Sequence, residues 1–312
     1  MIPIRKYYVL KIQYSQELNL EMNYPAASSG VSTRKIFLTS PQAAGNTTLR
    51  DSKPFIKDHG KFYKRNSAGK YPMDVSELKI AFIQSEQIVD KIRKFRNDRV
   101  EKLKAEHELP VNLYSGAKTV LHLVPLSAFS DINYFSFDKH DNINLTLRPL
   151  GSSGWNHRYN LDGLVAYSGG RDDASTSYTQ IFRNGIIEAV VSLSWYDEKK
   201  YIASQAYEQE LIEGTSSYLK AFSALEIEPP IYFFISVLGI KNYTFAVSQR
   251  ICWVHNRKET DRDDFLLPEG LINSLDQAPH KVFQPFFDMI WNAYGYKRSF
   301  NYDDEGNWVG QR

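Results

Sequence analysis

The hydrophobic rhythm of this chain changes several times, and each change predicts an element. YYVLKI, residues 7–12, carries the β-branched and aromatic run of a strand. Residues 25–53 lose that rhythm: Ser, Thr, Ala, Gly and Asn dominate, with IFL at 36–38 as a short apolar island, and a long loop is expected. KFYKR at 61–65 is strand-like again, and NSAG at 66–69 supplies a turn. A helix start follows. Pro72 precedes Asp74, Glu77 stands three residues on at capping-box spacing, and Leu78, Phe82, Val89, Ile92, Phe95 and Leu103 recur near helical period. One or two long helices are therefore expected over 74–106, closed before Pro110.

After the linker-like LPVNLYSGAK at 109–118 the period shortens to that of strands. TVLHLVPL (119–126), INLTLRPL (143–150), LVAY (164–167), SYTQIF (177–182) and IIEAVVSLSW (186–195) each read as strands. Asn184-Gly185 is the clearest hairpin signal in the chain. Residues 206–225 return to helical phase through Tyr207, Leu211, Tyr218, Phe222 and Leu225. Pro229-Pro230 stops the helix, IYFFISVLGI (231–240) reads as a central strand, and Lys241-Asn242 turns it into YTFAV (243–247). A last apolar helix is expected from Val282 to Tyr294, with Phe286, Phe287, Ile290 and Trp291 inward; the polar tail from Lys297 is expected to fray. There is no internal repeat.

Composition narrows the class. A chain of 312 residues is long enough for two domains, and 42% hydrophobic residues argue against disorder. The net charge of +2 demands no polyanionic partner for the protein as a whole, so any such partner rests on local patches. The 20 Tyr and 18 Phe suit β-rich packing and surfaces on which bases stack. A single cysteine, Cys252 in the strand-like ICWV, excludes an intramolecular disulfide and a cysteine zinc site. No apolar run is long enough to span a membrane, no apolar stretch follows Arg5 and Lys6 as in a signal peptide, and a cytoplasmic location is expected.

The catalytic inventory is thin. Phosphate loop, dinucleotide fingerprint, nucleophile elbow and zincin motif are all absent, and GSSG at 151–154 has its serines misplaced for an elbow. The seven histidines are dispersed, and His122, in an apolar strand, reads as a hydrogen-bonded core histidine. Asp261, Asp263 and Asp264 lack the other oxygen ligands of a cation site and read as a solvated loop. No metal and no cofactor is expected.

Lys91, Arg93, Lys94, Arg96 and Arg99 form a basic block flanked by acids, which reads as a solvated helix face. The densest polar constellation is GWNHRYNLDG, where Trp155, Asn156, His157, Arg158, Asn160 and Asp162 stand together. It suits a ligand loop, since aromatics stack while amides and Arg read polar edges; the plainer reading is a hairpin loop with Asp162-Gly163 as its turn.

KFYKRNSAGKYPMDVSELKIAFIQSE and IRKFRNDRV together resemble a stretch of bacterial proteins with a Schlafen-type AlbA-like domain, in which a strand ending F-Y-x-R-N-S-x-G closes the nucleic-acid-binding domain. TVLHLVPLSAFS, RYNLDGLVAY and YTQIFRNGIIEAV are similar to the portion that accompanies that domain, so the resemblance covers roughly residues 59–295. It implies a DNA- or RNA-binding α+β domain with roles in regulation or defence. Tyr63, Arg65, Asn66, Ser67 and Gly69 match the binding-domain end, with Lys61, Lys64, Lys70 and Tyr71 beside them. The family's E-x-x-x-E-F-K-like segment and N-T-x-G-G turn are not visible in this chain, and neither are the acidic positions with which animal Schlafens cut RNA.

The sequence is therefore read as α+β: a partial AlbA-like remnant (1–73), a long connecting helix (74–109) and a larger mixed β-rich α+β domain (110–312). The expected function is non-catalytic binding of DNA or RNA, with no membrane partner. A homo-oligomer, or a second chain supplying the missing half-domain, would complete it. The alternatives are a sensor or oligomerisation module, and an enzyme with a small-molecule site near residues 154–163.

Overall fold

The computed structural model describes residues 9–11, 37–39, 63–66, 69–72, 74–129, 135, 137, 142–170, 173–193, 200–246, 259–260 and 262–310. They are mixed α and β and divide into two compact units, residues 1–90 and 91–312.

In the first unit, β1 (Val9–Lys11) pairs antiparallel with β2 (Phe37–Thr39). The apolar island expected in a loop is thus a strand. β3 (Tyr63–Asn66) and β4 (Gly69–Pro72) form an antiparallel hairpin. The helix α1 (Val75–Lys104) starts in the first unit and ends in the second, unbroken over 30 residues, which matches the span expected from the sequence.

The second unit is built on a large antiparallel sheet of eight strands. β5 (Lys118–Pro125) and β11 (Ile231–Leu238) pair over their whole lengths. On one side of β5 follow β9 (Ile187–Ser192), β8 (Ser177–Phe182), β7 (Gly163–Ser168) and β6 (Trp155–Tyr159). On the other side, β11 carries β13 (Phe265–Leu266) and β14 (Gly270–Ile272). The Asn184-Gly185 signal is the β8–β9 turn, with Gly185 at a φ of +85° that a side chain would disfavour. Gly163 opens β7 because a Cβ there would lie 2.0 Å from the Ile181 carbonyl oxygen.

The period-2 pattern sorts the two faces. One face gives Leu121, Leu123, Leu164, Ala166, Ile181, Ile187, Ala189, Phe233 and Ile235 to a core closed by α3 (Ser204–Ala224) and α4 (Pro279–Ala293). The opposite face gives Val120, Val165, Tyr178 and Val190 to a smaller cluster with Val100 and Leu103 of α1. Both helices expected from the sequence are present, and Tyr207, Leu211, Tyr218, Phe222 and Leu225 are all buried.

Other expectations fail, wholly or in part, for tertiary reasons. INLTLRPL is not a strand but a single helical turn, α2 (Ile143–Thr146), and an irregular stretch. Its buried positions are Ile143, Leu147, Pro149 and Leu150, while Leu145 is exposed, so the alternation of a strand is missing. Its carbonyls find partners on α3, where Ser217 Oγ donates to Thr146 O and Tyr218 Oη to Arg148 O. YTFAV contains β12 (Thr244–Ala246), which pairs not with β11 but in parallel with β10 (Tyr201–Ala203). GWNHRYNLDG is largely strand β6; the chain reverses at Leu161-Asp162, where Asn160 N–H donates to Gly163 O at 2.9 Å. The tail from Lys297 is docked rather than frayed. Ser299, Asn301 and Tyr302 are buried, and Tyr302 bridges to Trp308.

Candidate functional site

Strand register across the sheet lines up one transverse row. Arg158 of β6 lies opposite Val165 of β7, then Gln180 of β8, Glu188 of β9, His122 of β5 and Phe234 of β11. This row is on the α1 face. Helix α1 lays three of its five basic-block residues along the second unit, and they behave differently. Arg99 is buried and grips Glu188 with Nε at 2.8 Å and Nη2 at 2.7 Å. Arg96 is half-buried, its guanidinium 5.1 Å from the Phe234 ring centre and Nη2 donating to Leu267 O. Arg93 is exposed and paired with Glu269. Lys91 and Lys94 are exposed. The basic block is therefore not one solvated face: its period turns Arg99 onto the sheet and leaves the two lysines in water.

Glu188 is the centre of the row. It accepts from Arg99, from His122 Nε2 at 2.9 Å and from Tyr178 Oη at 2.7 Å, with no exposure of its own. Burial pushes its carboxyl up, but the hydrogen bonds and charge of Arg99 and His122 outweigh that and hold it well below the usual carboxylate range. Burial and the Glu188 carboxylate push the Tyr178 phenol up. Phe95 packs edge-on against the His122 ring and Phe182 and closes the site. His122 is the buried, hydrogen-bonded histidine that its apolar strand predicts. With Arg99, His122 Nε2 and Tyr178 all directed at one carboxylate, this arrangement clamps α1 to the sheet.

The 154–163 cluster is divided by the pleat. Arg158 turns to the α1 face, over the Tyr167 ring at 5.8 Å, and donates to Pro110 O at 2.5 Å. Asn160 exchanges hydrogen bonds with Gln180 and accepts from Gly163 N–H. Trp155 Nε1 instead donates to Asn144 O, and His157 Nδ1 lies 3.4 Å from Asn144 Nδ2 on the α2 side. Asn156 is exposed, and Asp162 serves the turn through its carbonyl, which accepts from Arg183 N–H. The six residues do not converge on one point. Arg158 alone lines an open cleft of about 350 Å³, with Pro110, Asn112, Tyr167, Asp173 and Ser175. This lining can hold a polar ligand against an aromatic ring; it contains no hydrogen-bonded nucleophile and base among the described residues.

The nucleic-acid candidates occupy the β3–β4 hairpin. Arg65 is in register with Lys70, Lys64 with Tyr71, Tyr63 with Pro72 and Asn66 with Gly69. Lys61 and Ser67 lie outside the described residues, as do Cys252 and Asp261. Asp263 pairs with Lys241, while Asp264 pairs with Lys104 and accepts from Gly239 N–H; a group of metal-binding residues is absent among those described. No helix among the described residues is long and apolar enough to cross a membrane.

Glu188, Arg99 and Gln180 carry no motif. The available signal is one glutamate inside IIEAVV, an acid in an otherwise apolar strand. No family profile, curated protein or solved structure matches the chain.

Proposed function

We propose that this protein binds nucleic acid without chemistry of its own, and that the β3–β4 hairpin is its phosphate-positioning element. The finer assignment of residues 1–73 as a partial AlbA-like remnant, joined through a helical connector to the rest, belongs to the same proposal and rests on the sequence resemblance. The supporting observation is the hairpin register. Arg65 stands directly opposite Lys70, with Lys64 one position away opposite Tyr71. Like charges directly opposed across strands are unfavourable by a few tenths of a kcal/mol or more. A phosphate on the hairpin removes that repulsion and adds charge-assisted hydrogen bonds. Such contacts position a backbone without reading its sequence. Tyr63 and Tyr71 supply faces on which bases stack.

The test is fluorescence anisotropy of the purified chain with single- and double-stranded DNA and RNA over a salt series. Lys64→Ala with Arg65→Ala should weaken binding by ~1–3 kcal/mol, similarly across sequences. It should also flatten the dependence of log K on log salt by about one unit for each phosphate that is no longer neutralised. No affinity at ~50 mM salt would reject the reading. A second reading, a ligand-sensing module, is favoured by the cleft that Arg158 and Tyr167 line.

A further inference from the structure

The two edges of the large sheet are built to opposite designs. At the far edge β13 has two residues and β14 three, with Pro268 and Glu269 between them and Glu269 held by Arg93. Short edge strands, a proline and charge are the usual means of preventing edge pairing. β6 is longer and has no proline. Its five residues contain no Gly or Lys, and it pairs without a bulge to β7 and to nothing else among the described residues. Its one cation, Arg158, is turned onto the α1 face and tied to Pro110 O and the Tyr167 ring.

Register tells which backbone groups are free. Asn160 and Gly163 are a hydrogen-bonded pair, so by alternation the bonded pairs toward β7 are Arg158 with Val165 and Asn156 with Tyr167. The N–H and C=O groups of Trp155, His157 and Tyr159 point away from the sheet. Beside them are three large apolar side chains in water: Leu145 on α2, 61% exposed, Tyr159, 58%, and Leu161 at the turn, 89%. Leu145 adjoins Asn144, which contacts both Trp155 and His157, so this apolar surface continues the strand edge.

We propose that β6 pairs with β6 of a second copy of this chain, antiparallel, about a two-fold axis through His157. This dimer joins the two large sheets into one. The occupant follows from the residues. About that axis His157 meets its own copy and Trp155 meets Tyr159 on each side, so the three outward-facing residues of each strand satisfy one another's N–H and C=O groups. Each aromatic then lies opposite an aromatic, a favourable cross-strand pairing, and Asn156 lies opposite Arg158 with no like charges opposed. An isologous contact of this kind closes at two copies.

The test uses the full chain. Light scattering behind size exclusion, over a concentration series, should show a dimer. His157→Pro removes one outward N–H that β7 does not use, a position where an edge strand tolerates proline. It should give a monomer with an unchanged circular-dichroism spectrum, whose melt no longer depends on protein concentration. Tyr159→Lys, which adds the charge that protected edges carry, should also give a monomer and serves as the second variant if His157→Pro does not fold. In a Cys252→Ser background, His157→Cys should form an intermolecular disulfide on oxidation, because a bonded antiparallel pair has Cα atoms about 5.5 Å apart, within disulfide reach. A wild-type chain that is monomeric throughout overturns the proposal. So does a dimer that survives both edge variants, and a dimer without the disulfide overturns the axis through His157.

Discussion

Glu188 and Glu208 are both fully buried carboxylates, yet they are held by opposite chemistry on opposite sides of one sheet. Glu188, on the α1 face, is paired with a guanidinium and supported by His122 and Tyr178. Glu208, on α3, has no cation partner among the described residues. It accepts from Trp291 Nε1 at 2.7 Å, Ser299 Oγ at 2.7 Å and Trp308 Nε1 at 2.9 Å. Burial pushes its carboxyl above the ordinary value, and the hydrogen bonds from Ser299 and the two indoles only partly oppose this. One carboxylate fixes a helix by charge; the other gathers α4 and the C-terminal tail by neutral donors. A buried acid thus organises either kind of neighbour, and the presence of a cation decides which protonation state is stabilised.

The strongest way to break the comparison is Glu188→Gln. It leaves Arg99 buried without its anion and should cost about 3–5 kcal/mol in chemical denaturation, the usual penalty for removing one member of a buried pair. Glu208→Gln should cost less, about 1–3 kcal/mol, because only a neutral acceptor is lost and an indole N–H then faces an amide N–H₂. Equal losses would mean that the cation opposite Glu188 adds nothing.

The pH dependence separates the two acids by sign. Glu188 has a depressed value, so its stabilisation is present above the unfolded carboxyl value of ~4.3. It disappears only as pH falls through the lower folded value. Glu208 has a raised value, so its contribution is complete below ~4.3 and is lost as pH rises through the folded value. Stability measured across that window should therefore fall with rising pH by up to about 1.4 kcal/mol per pH unit from this group, and Glu208→Gln should abolish that slope. The smallest effect belongs to Lys94→Glu. Lys94 is an exposed member of the basic block, and its reversal should shift stability by no more than about 0.5 kcal/mol. A loss as large as that of Glu188→Gln would place the wrong residue of α1 on the sheet.

Much of the fold was legible because periodicity is local. Arg99 and Lys94 show where legibility stopped: five neighbouring cations read as one charged face, and only the sheet surface opposite selects which of them is desolvated. The tail misled for the same reason. Its polar residues promise water, but Ser299 and Trp308 reach a buried glutamate 91 and 100 residues earlier in the chain. In the 154–163 cluster the residue types were visible, but the pleat, which sends Arg158 and His157 to opposite faces, was not.

By itself the sequence determined the strands through His122 and Glu188, the Asn184-Gly185 hairpin and the phases of α1, α3 and α4. Apolar period and turn chemistry act within a few residues. Tertiary structure alone decided that Arg99 should meet Glu188 from 89 positions away, that His122 should meet it from 66, and that one edge of the sheet should be blunted while the other is unpaired among the described residues. Register between distant strands and the cost of burying a charge depend on which surfaces meet, and no local pattern of residues specifies that.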